Sequence, residues 1–267
     1  MDLSWITHEP EEMYHSRSRN GEYMSSHLLA DFRNSPLLFH KKIAGLVEEP
    51  PSAAFAFGTA AHKLILEGQV AFDSVYTVSD GPINERTGSP FGKTTKAYAE
   101  WLAEQDKEII SSEDYGKIAE FRASVVRNEM ASRLLALGQP EGVARGVYND
   151  VPCQIRMDWF NPEFGLVDLK TTAELRYFEN DARRFGYVFQ MAFYRAIIRI
   201  LTGVDVPVHI IAVEKCEPYA AGVWMLAPSV LDDAENVNIA ALNRFKNCVT
   251  ENVWPSGYET VRIIDTL

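Results

Sequence analysis

Hydrophobic and polar positions repeat along this chain with two different periods, and the change of period divides it. Residues 25–34 (SSHLLADFRN) read as a helix capped by Ser25 or Ser26 and stopped at Ser35-Pro36. Residues 36–44 restart it, with Pro36 at the first helical position. In FAFGTAAHKLILE (55–67), Phe57, Ala61, Leu64 and Ile65 recur at helical spacing and predict a buried helix. Residues 72–92, with SDGPINERTGSPFG, are rich in turn formers and predict exposed loop. Two helices are expected over 93–108 and 113–136. The second starts after Ser112 and carries Ile118, Phe121, Val125, Met130 and Leu134 on one stripe.

From residue 143 the period falls to two. Residues 143–148, 151–160 and 166–172 predict three strands, linked at Asn149-Asp150 and at NPEFG (161–165). Residues 186–202 predict a strongly apolar helix closed by Gly203. Residues 206–215 and 222–226 predict two further strands joined by a Pro-containing turn. A last amphipathic helix starts after Ser229, with Asp232 completing a capping-box variant. This order predicts a single mixed α/β domain over residues 1–267, with a central sheet flanked by helices and a helical N-terminal part.

Composition narrows the class. The chain has 267 residues, 46% hydrophobic and 24% charged, which suits one globular core and excludes a disordered or collagen-like protein. No apolar run approaches the roughly 18 residues of a membrane span. The acidic, polar opening MDLSWITHEPEEMYH is unlike a secretory signal, so the cytoplasm is the expected location. Cys153, Cys216 and Cys248 are too few for the four thiolates of an iron–sulfur cluster, and their odd, sparse set is not a disulfide framework. The net charge of −11 argues against non-specific coating of nucleic acid. It leaves room for a nucleic-acid enzyme that confines its basic residues to a channel and carries acid at a metal site.

Candidate chemistry concentrates in Met157-Asp158-Trp159-Phe160, the NPEFG turn, and Leu166-Val167-Asp168-Leu169-Lys170-Thr171-Thr172. With the hairpin centred on Glu163, Asp158 and Asp168 are equidistant from it and stand opposite each other, about 5 Å apart. The strand period puts Leu166 and Lys170 on the same face as Asp168, with Val167 and Leu169 turned the other way. Opposed carboxylates repel unless a cation offsets them, and oxygen donors of this kind suit Mg²⁺ or Mn²⁺. With a lysine beside them, they suit phosphodiester hydrolysis. Taken alone, the D…DxK pattern equally fits an exposed hairpin with a cross-turn ion pair. Gln190 and Tyr194 share one helix face, either at a cleft or as boundary residues. His62, flanked by small residues, fits either a core histidine or a ligand.

The set GTAAH, MDW…VDLKTT and GYVFQMAFY, with SPLLF at 35–39, resembles the PD-(D/E)XK nuclease superfamily. Within it, the chain is most similar to the exodeoxyribonuclease VIII type of phage recombination exonuclease. The resemblance implies a restriction-endonuclease-like core. It also implies that His62, Asp158, Asp168 and the Leu169 carbonyl ligate Mg²⁺ or Mn²⁺, that Lys170 is catalytic, and that Gln190 and Tyr194 support the site and contact substrate. Asp168 stands where many relatives carry Glu. The implied activity is exonucleolytic hydrolysis of duplex DNA ends, from 5′ to 3′, leaving 3′ single-stranded tails for recombination. A single-strand annealing protein and further copies of the chain are the implied partners. The alternative is a catalytically idle nuclease fold used for DNA binding or assembly. Weaker candidates are Glu141 as an extra acidic residue near the metal, and Arg183, Arg184, Arg195 and Arg199 as phosphate contacts. Solvated surface is the default reading for Glu141 and fits each arginine at least as well. Tyr187 and Trp159 are candidates for base stacking or core packing, Lys93, Lys96 and Arg86 for DNA contact, and Cys153 is expected to be inert.

Overall fold

A computed structural model describes residues 3–47 and 53–263 of the chain. The N-terminal part is helical, as the pattern predicts, but begins earlier. Helix α1 (Glu11–Arg19) is almost wholly polar, so no apolar stripe announces it. Helix α2 (Ser26–Asn34) is capped by Ser25, whose hydroxyl accepts from the Leu28 N–H at 3.3 Å. Helix α3 (Pro36–Ile43) has Pro36 in its first turn and Ser35 as its cap. Helix α4 (Ala53–His62) does not run to residue 67 as expected. It gives way to a π-helical turn, Lys63–Glu67, and then to α5 (Gly68–Val75). The expected loop therefore holds the end of α5 and three short strands, β1 (Tyr76–Val78), β2 (Ile83–Asn84) and β3 (Ser89–Pro90).

Helix α6 (Lys96–Ala103) is shorter than the expected 93–108, because β4 (Glu108–Ile110) takes up its end. The expected 113–136 helix is two helices, α7 (Ser112–Arg127), capped by Ser111, and α8 (Glu129–Leu134). Asn128 breaks them. Its backbone is extended and its side-chain oxygen accepts from the Ala131 N–H, starting a new cap. The break rotates the second stripe, so Ala131 and Leu134 are buried while Met130 is 39% exposed.

The sheet has five strands in the order β5 (Gln139–Tyr148), β6 (Val151–Asn161), β7 (Gly165–Thr172), β8 (Val208–Glu214) and β9 (Ala221–Met225). Only β7 and β8 run parallel. The crossover between them carries a 3₁₀ turn (Leu175–Tyr177), α9 (Phe178–Arg184) and α10 (Tyr187–Thr202), which Gly203 closes in the left-handed conformation. Helix α11 (Pro228–Glu251) follows. It starts with Pro228 in its first turn after Ala227, so Ser229 lies inside the helix rather than capping it.

Both faces of the sheet are covered. Leu166, Val208, Ile210 and Ala212 pack with α2, α10 and α11. Val167, Leu169, Ile211 and Val213 pack on the other face with α4, α7 and α8. The chain before α2 also joins the sheet. Thr7 bridges Val143 on β5, and Met24 bridges Cys153 on β6.

Candidate active site

The hairpin that presents the two aspartates is fixed by its turn. Asn161 Oδ1 accepts from the Glu163 and Phe164 N–H groups at 2.8 and 3.1 Å, and its amide donates to the Leu134 carbonyl. Gly165 closes the turn at φ 79°, where a Cβ would stand 2.3 Å from the Pro207 carbonyl oxygen, so glycine is required twice over. The register is the expected one, with Asn161 opposite Gly165, Phe160 opposite Leu166 and Trp159 opposite Val167. The ladder then ends, one pair short of the aspartates. In place of a backbone partner, the Leu169 N–H donates to Asp158 Oδ2 at 2.8 Å.

Into this opening α4 delivers His62. Its Nε2 lies 3.1 Å from Asp158 Oδ2 and 2.8 Å from the Leu169 carbonyl, and its Nδ1 is 2.9 Å from the Gly58 carbonyl one turn back. Acceptors facing both ring nitrogens require the imidazolium. Burial opposes that charge, but the Asp158 carboxylate overcomes it and lifts the His62 pKa to about 9. Burial likewise opposes ionisation of Asp158, and His62 outweighs it to hold the carboxyl at about 2.

Asp168 is 1% exposed. Burial pushes its pKa up to about 6, with Lys170 opposing the rise and Asp158 adding to it. Lys170 Nζ stands 2.6 Å from Asp168 Oδ2 and 5.0 Å from the centroid of the Tyr187 ring. Burial works against the ammonium, yet Asp168 and then Asp158 raise its pKa above the ordinary lysine value. Asp168 Oδ1 is buried without a hydrogen-bond partner among the described residues.

Helix α10 lays Gln190 and Tyr194 along the same cleft, with Gln190 Nε2 3.4 Å from the Tyr194 hydroxyl. Burial pushes the phenol up to about 12, so it remains a neutral donor. The cleft has a volume of 320 Å³, within the range of ligand sites, and joins His62, Asp158, Lys170, Gln190 and Tyr194 in one wall system. Leu169 contributes only backbone, its side chain being buried on the opposite face.

Several weaker candidates fall elsewhere. Glu141 is not solvated surface: it lines the cleft and accepts from Arg156 Nε at 2.6 Å. Burial, then Asp158, raises its pKa. Arg183 and Arg184 are exposed and outside the cleft lining. Arg195 is neither a phosphate contact nor solvated. It is buried and paired with Asp232 and Glu235, and Arg199 pairs with Glu235 and Asp205. Trp159 packs on the β7 face that carries Val167, and donates to the Leu137 carbonyl. Tyr187 faces Lys170. Lys93, Lys96 and Arg86 are exposed and do not line the cleft. Cys153 is buried, and burial pushes its thiol up to about 12.

The sequence reading missed Glu11, Glu67, His27 and Arg156, which also line the cleft. Glu11 comes from α1, which has no apolar stripe, and Glu67 ends the π-helical turn, whose periodicity marks its apolar residues and not its acid. Arg156 was readable in principle, two residues before Asp158 on the same strand face.

The donor set can be matched to an ion. Among the described residues no three His, Cys, Asp or Glu side chains are already gathered as a cage. The groups that do converge are His62 Nε2, Asp158 Oδ2 and the Leu169 carbonyl, beside the unpartnered Asp168 oxygen. An imidazole with oxygen donors fits a divalent cation of the Mg²⁺ or Mn²⁺ kind once His62 has lost a proton and Asp168 is ionised.

The sequence profile of a family described as "PDDEXK-like domain of unknown function (DUF3799)" matches residues 25–266. Among solved structures, the crystal structure of a "Putative exonuclease" from Eubacterium rectale superposes with a TM-score of 0.70. The likeness covers 98% of this chain and 96% of that one at 20% identity, and so bears on the fold. No curated protein matches the chain by sequence.

Proposed function

The chain belongs to the PDDEXK-like family whose profile spans it, and from that premise we propose that it is a divalent-metal-dependent nuclease hydrolysing phosphodiester bonds in DNA. The observation that carries the reading is the meeting of His62 from α4, Asp158 from β6 and Lys170 from β7 in one cleft, with the Leu169 carbonyl against His62 Nε2 and the Asp168 carboxylate paired to Lys170. Nothing in the packing of the sheet calls for a fully buried carboxylate, Asp168, beside the half-buried Asp158 and Lys170. Their mutual cost is the signature of a site with a charged ligand.

His62, Asp158, Asp168 and the Leu169 carbonyl would hold Mg²⁺ or Mn²⁺. When bound, the ion supplies Lewis-acid polarisation of the phosphate and a more acidic attacking water. The remaining work belongs to the chain. Asp168 keeps Lys170 charged and aimed into the cleft, so the ammonium acts as a donor to phosphate oxygens rather than as a base. The Tyr187 ring supports the ammonium from the side. Asp158 holds the parted end of β7 through the Leu169 N–H. Gln190 and Tyr194 offer neutral donors along the wall, suited to orienting the sugar–phosphate chain.

The finer reading is exonucleolytic action on duplex ends, 5′ to 3′, leaving 3′ tails for a single-strand annealing partner, with several copies of the chain around the DNA. The name of the solved neighbour from Eubacterium rectale supports the exonuclease part. Digestion of end-labelled linear duplex and closed circular DNA, with Mg²⁺ and with EDTA, tests the whole. The expected result is Mg²⁺-dependent shortening of the linear duplex with early release of the 5′ label, intact circles, and no cleavage by a folded Asp168→Asn variant. Cleaved circles would make it an endonuclease. No cleavage by the wild-type protein would make it an idle nuclease fold.

A further inference from the structure

The arginines of this chain are unevenly provided with counter-charges. Arg145, Arg156, Arg195 and Arg199 each meet a carboxylate. Arg33 instead donates to the side-chain oxygen of Asn238 at 2.6 Å and lies 4.2 Å over the Phe189 ring. Arg244 lies 5.8 Å from the centroid of Phe32, and Arg262 stacks 4.3 Å over Tyr258 while donating to the Gly257 carbonyl. Among the described residues none of these three forms an ion pair. All three line one pocket of 490 Å³, between α2, the end of α11 and the segment 255–262. Asn34, Asn247 and Ser256 add neutral polar groups to its wall.

Among the described residues no acid lines this pocket. The nearest carboxylate in sequence, Glu259, is held in its own turn by the Ser256 N–H and hydroxyl and by the Gly257 N–H. Arg33 is disfavoured as a cation by burial and then by Arg244, with no carboxylate acting on it. In a chain of net charge −11, three arginines lining one pocket without a counter-ion among the described residues leave a place for an anion.

The position of the pocket says which anion. Arg33 also lines a smaller pocket together with His27, Lys170 and Gln190, and those three line the catalytic cleft as well. The small pocket therefore lies between the two, sharing His27, Lys170 and Gln190 with the cleft and Arg33 with the arginine pocket. We propose that the arginine pocket seats an internal backbone phosphate of the DNA strand whose scissile phosphate lies in the cleft. Guanidinium forks match phosphate oxygens in pairs, and the exposed Tyr258 ring offers a face to the adjoining base. This assignment rests on the nuclease reading.

Fluorescence anisotropy with a labelled single-stranded DNA oligonucleotide bearing a 5′ hydroxyl, in EDTA to prevent hydrolysis, tests it. Arg244 is exposed, so Arg244→Gln and Arg244→Lys are expected to fold, and circular dichroism checks this. Arg244→Gln should weaken binding and flatten the plot of log affinity against log salt by about 0.7, the value for one phosphate of a single strand. Arg244→Gln with Arg262→Gln should flatten it further, and Arg244→Lys should keep the wild-type slope. An unchanged slope in the double variant, beside salt-dependent binding by the wild type, would overturn the pocket and leave the nuclease reading standing. A deficit seen only with 5′-phosphorylated oligonucleotides would replace the internal phosphate by a terminal one. An equal deficit in Arg244→Lys would mean packing rather than charge. Wild-type protein that binds no oligonucleotide here yet cleaves duplex DNA with Mg²⁺ would overturn the pocket alone, and protein that does neither would overturn both readings.

Discussion

If His62 holds the proposed cation, metal and proton compete for one nitrogen, and the competition has a size. His62 Nε2 is engaged by Asp158 and the Leu169 carbonyl, and that arrangement requires its proton. A pKa of about 9 in place of 6.5 means the proton is held more tightly by about 3 kcal/mol. In the metal-free protein this contact contributes stability that is full below pH 6.5 and is lost as the pH rises through about 9. A cation taking the same nitrogen must release that proton. Apparent Mg²⁺ affinity should therefore climb about tenfold per pH unit from pH 7 and level off near pH 9, a total of about 100-fold. Asp168, with its pKa near 6, is already ionised across most of that window and contributes little to the slope. Isothermal titration at pH 7 in two buffers of different ionisation enthalpy should count close to one proton released per ion. His62→Gln should bind more weakly at pH 9 and show a nearly flat profile. Wild-type affinity that is constant from pH 7 to pH 9, with no proton released, would refute the assignment of His62 as a ligand.

Two further outcomes follow from neighbouring contacts. Tyr194→Phe removes a buried hydroxyl 3.4 Å from Gln190 Nε2, worth about 1 kcal/mol. Single-turnover cleavage should fall several-fold while Mg²⁺ affinity stays unchanged, and a parallel loss of metal affinity would move Tyr194 into the ion's own shell. Glu235, its side chain 10% exposed, accepts from both Arg195 and Arg199. Glu235→Gln should cost about 3 kcal/mol in urea unfolding because it leaves the buried Arg195 short of countercharge. A loss under about 1 kcal/mol would show that the network is effectively solvated.

What could be read from the sequence was local. The hairpin register follows from one turn centre, Glu163, because Asn161 and Gly165 fix that turn within five residues. The alternation Val167, Leu169 against Leu166, Asp168, Lys170 follows from the strand period and is reproduced by the two packing layers. Breaks in helices were not legible. Asn128 reads as one more polar residue on a helix surface until its side chain is seen to start a new cap. The π-helical turn after His62 leaves the apolar spacing of Leu64 and Ile65 intact, so periodicity does not betray it. Contacts across long stretches of chain were the least accessible. His62 lies 96 residues from Asp158, and spacing alone could not join them. Arg195 shows the opposite failure: an arginine on a motif helix looks available to phosphate, and only the fold reveals the acidic partners on α11.

The bridges made by Thr7 and Met24 have a consequence for self-association. An open sheet ends in strands whose unpaired amides and carbonyls can recruit a strand from another molecule. On β5, Thr7 exchanges both backbone hydrogen bonds with Val143 at 2.8 Å. Where β7 stops short along β6, Met24 takes its place, accepting from Gln154 and donating to the Pro152 carbonyl. At the far side β9 is only five residues long, and the Ala221 carbonyl is occupied by the Asn128 amide at 2.9 Å. The same asparagine that begins α8 thus blunts the last strand. Losing it would free a helix end and a sheet edge together, and concentrated protein would be more exposed to aggregation from that one change than its modest cost in folding energy suggests.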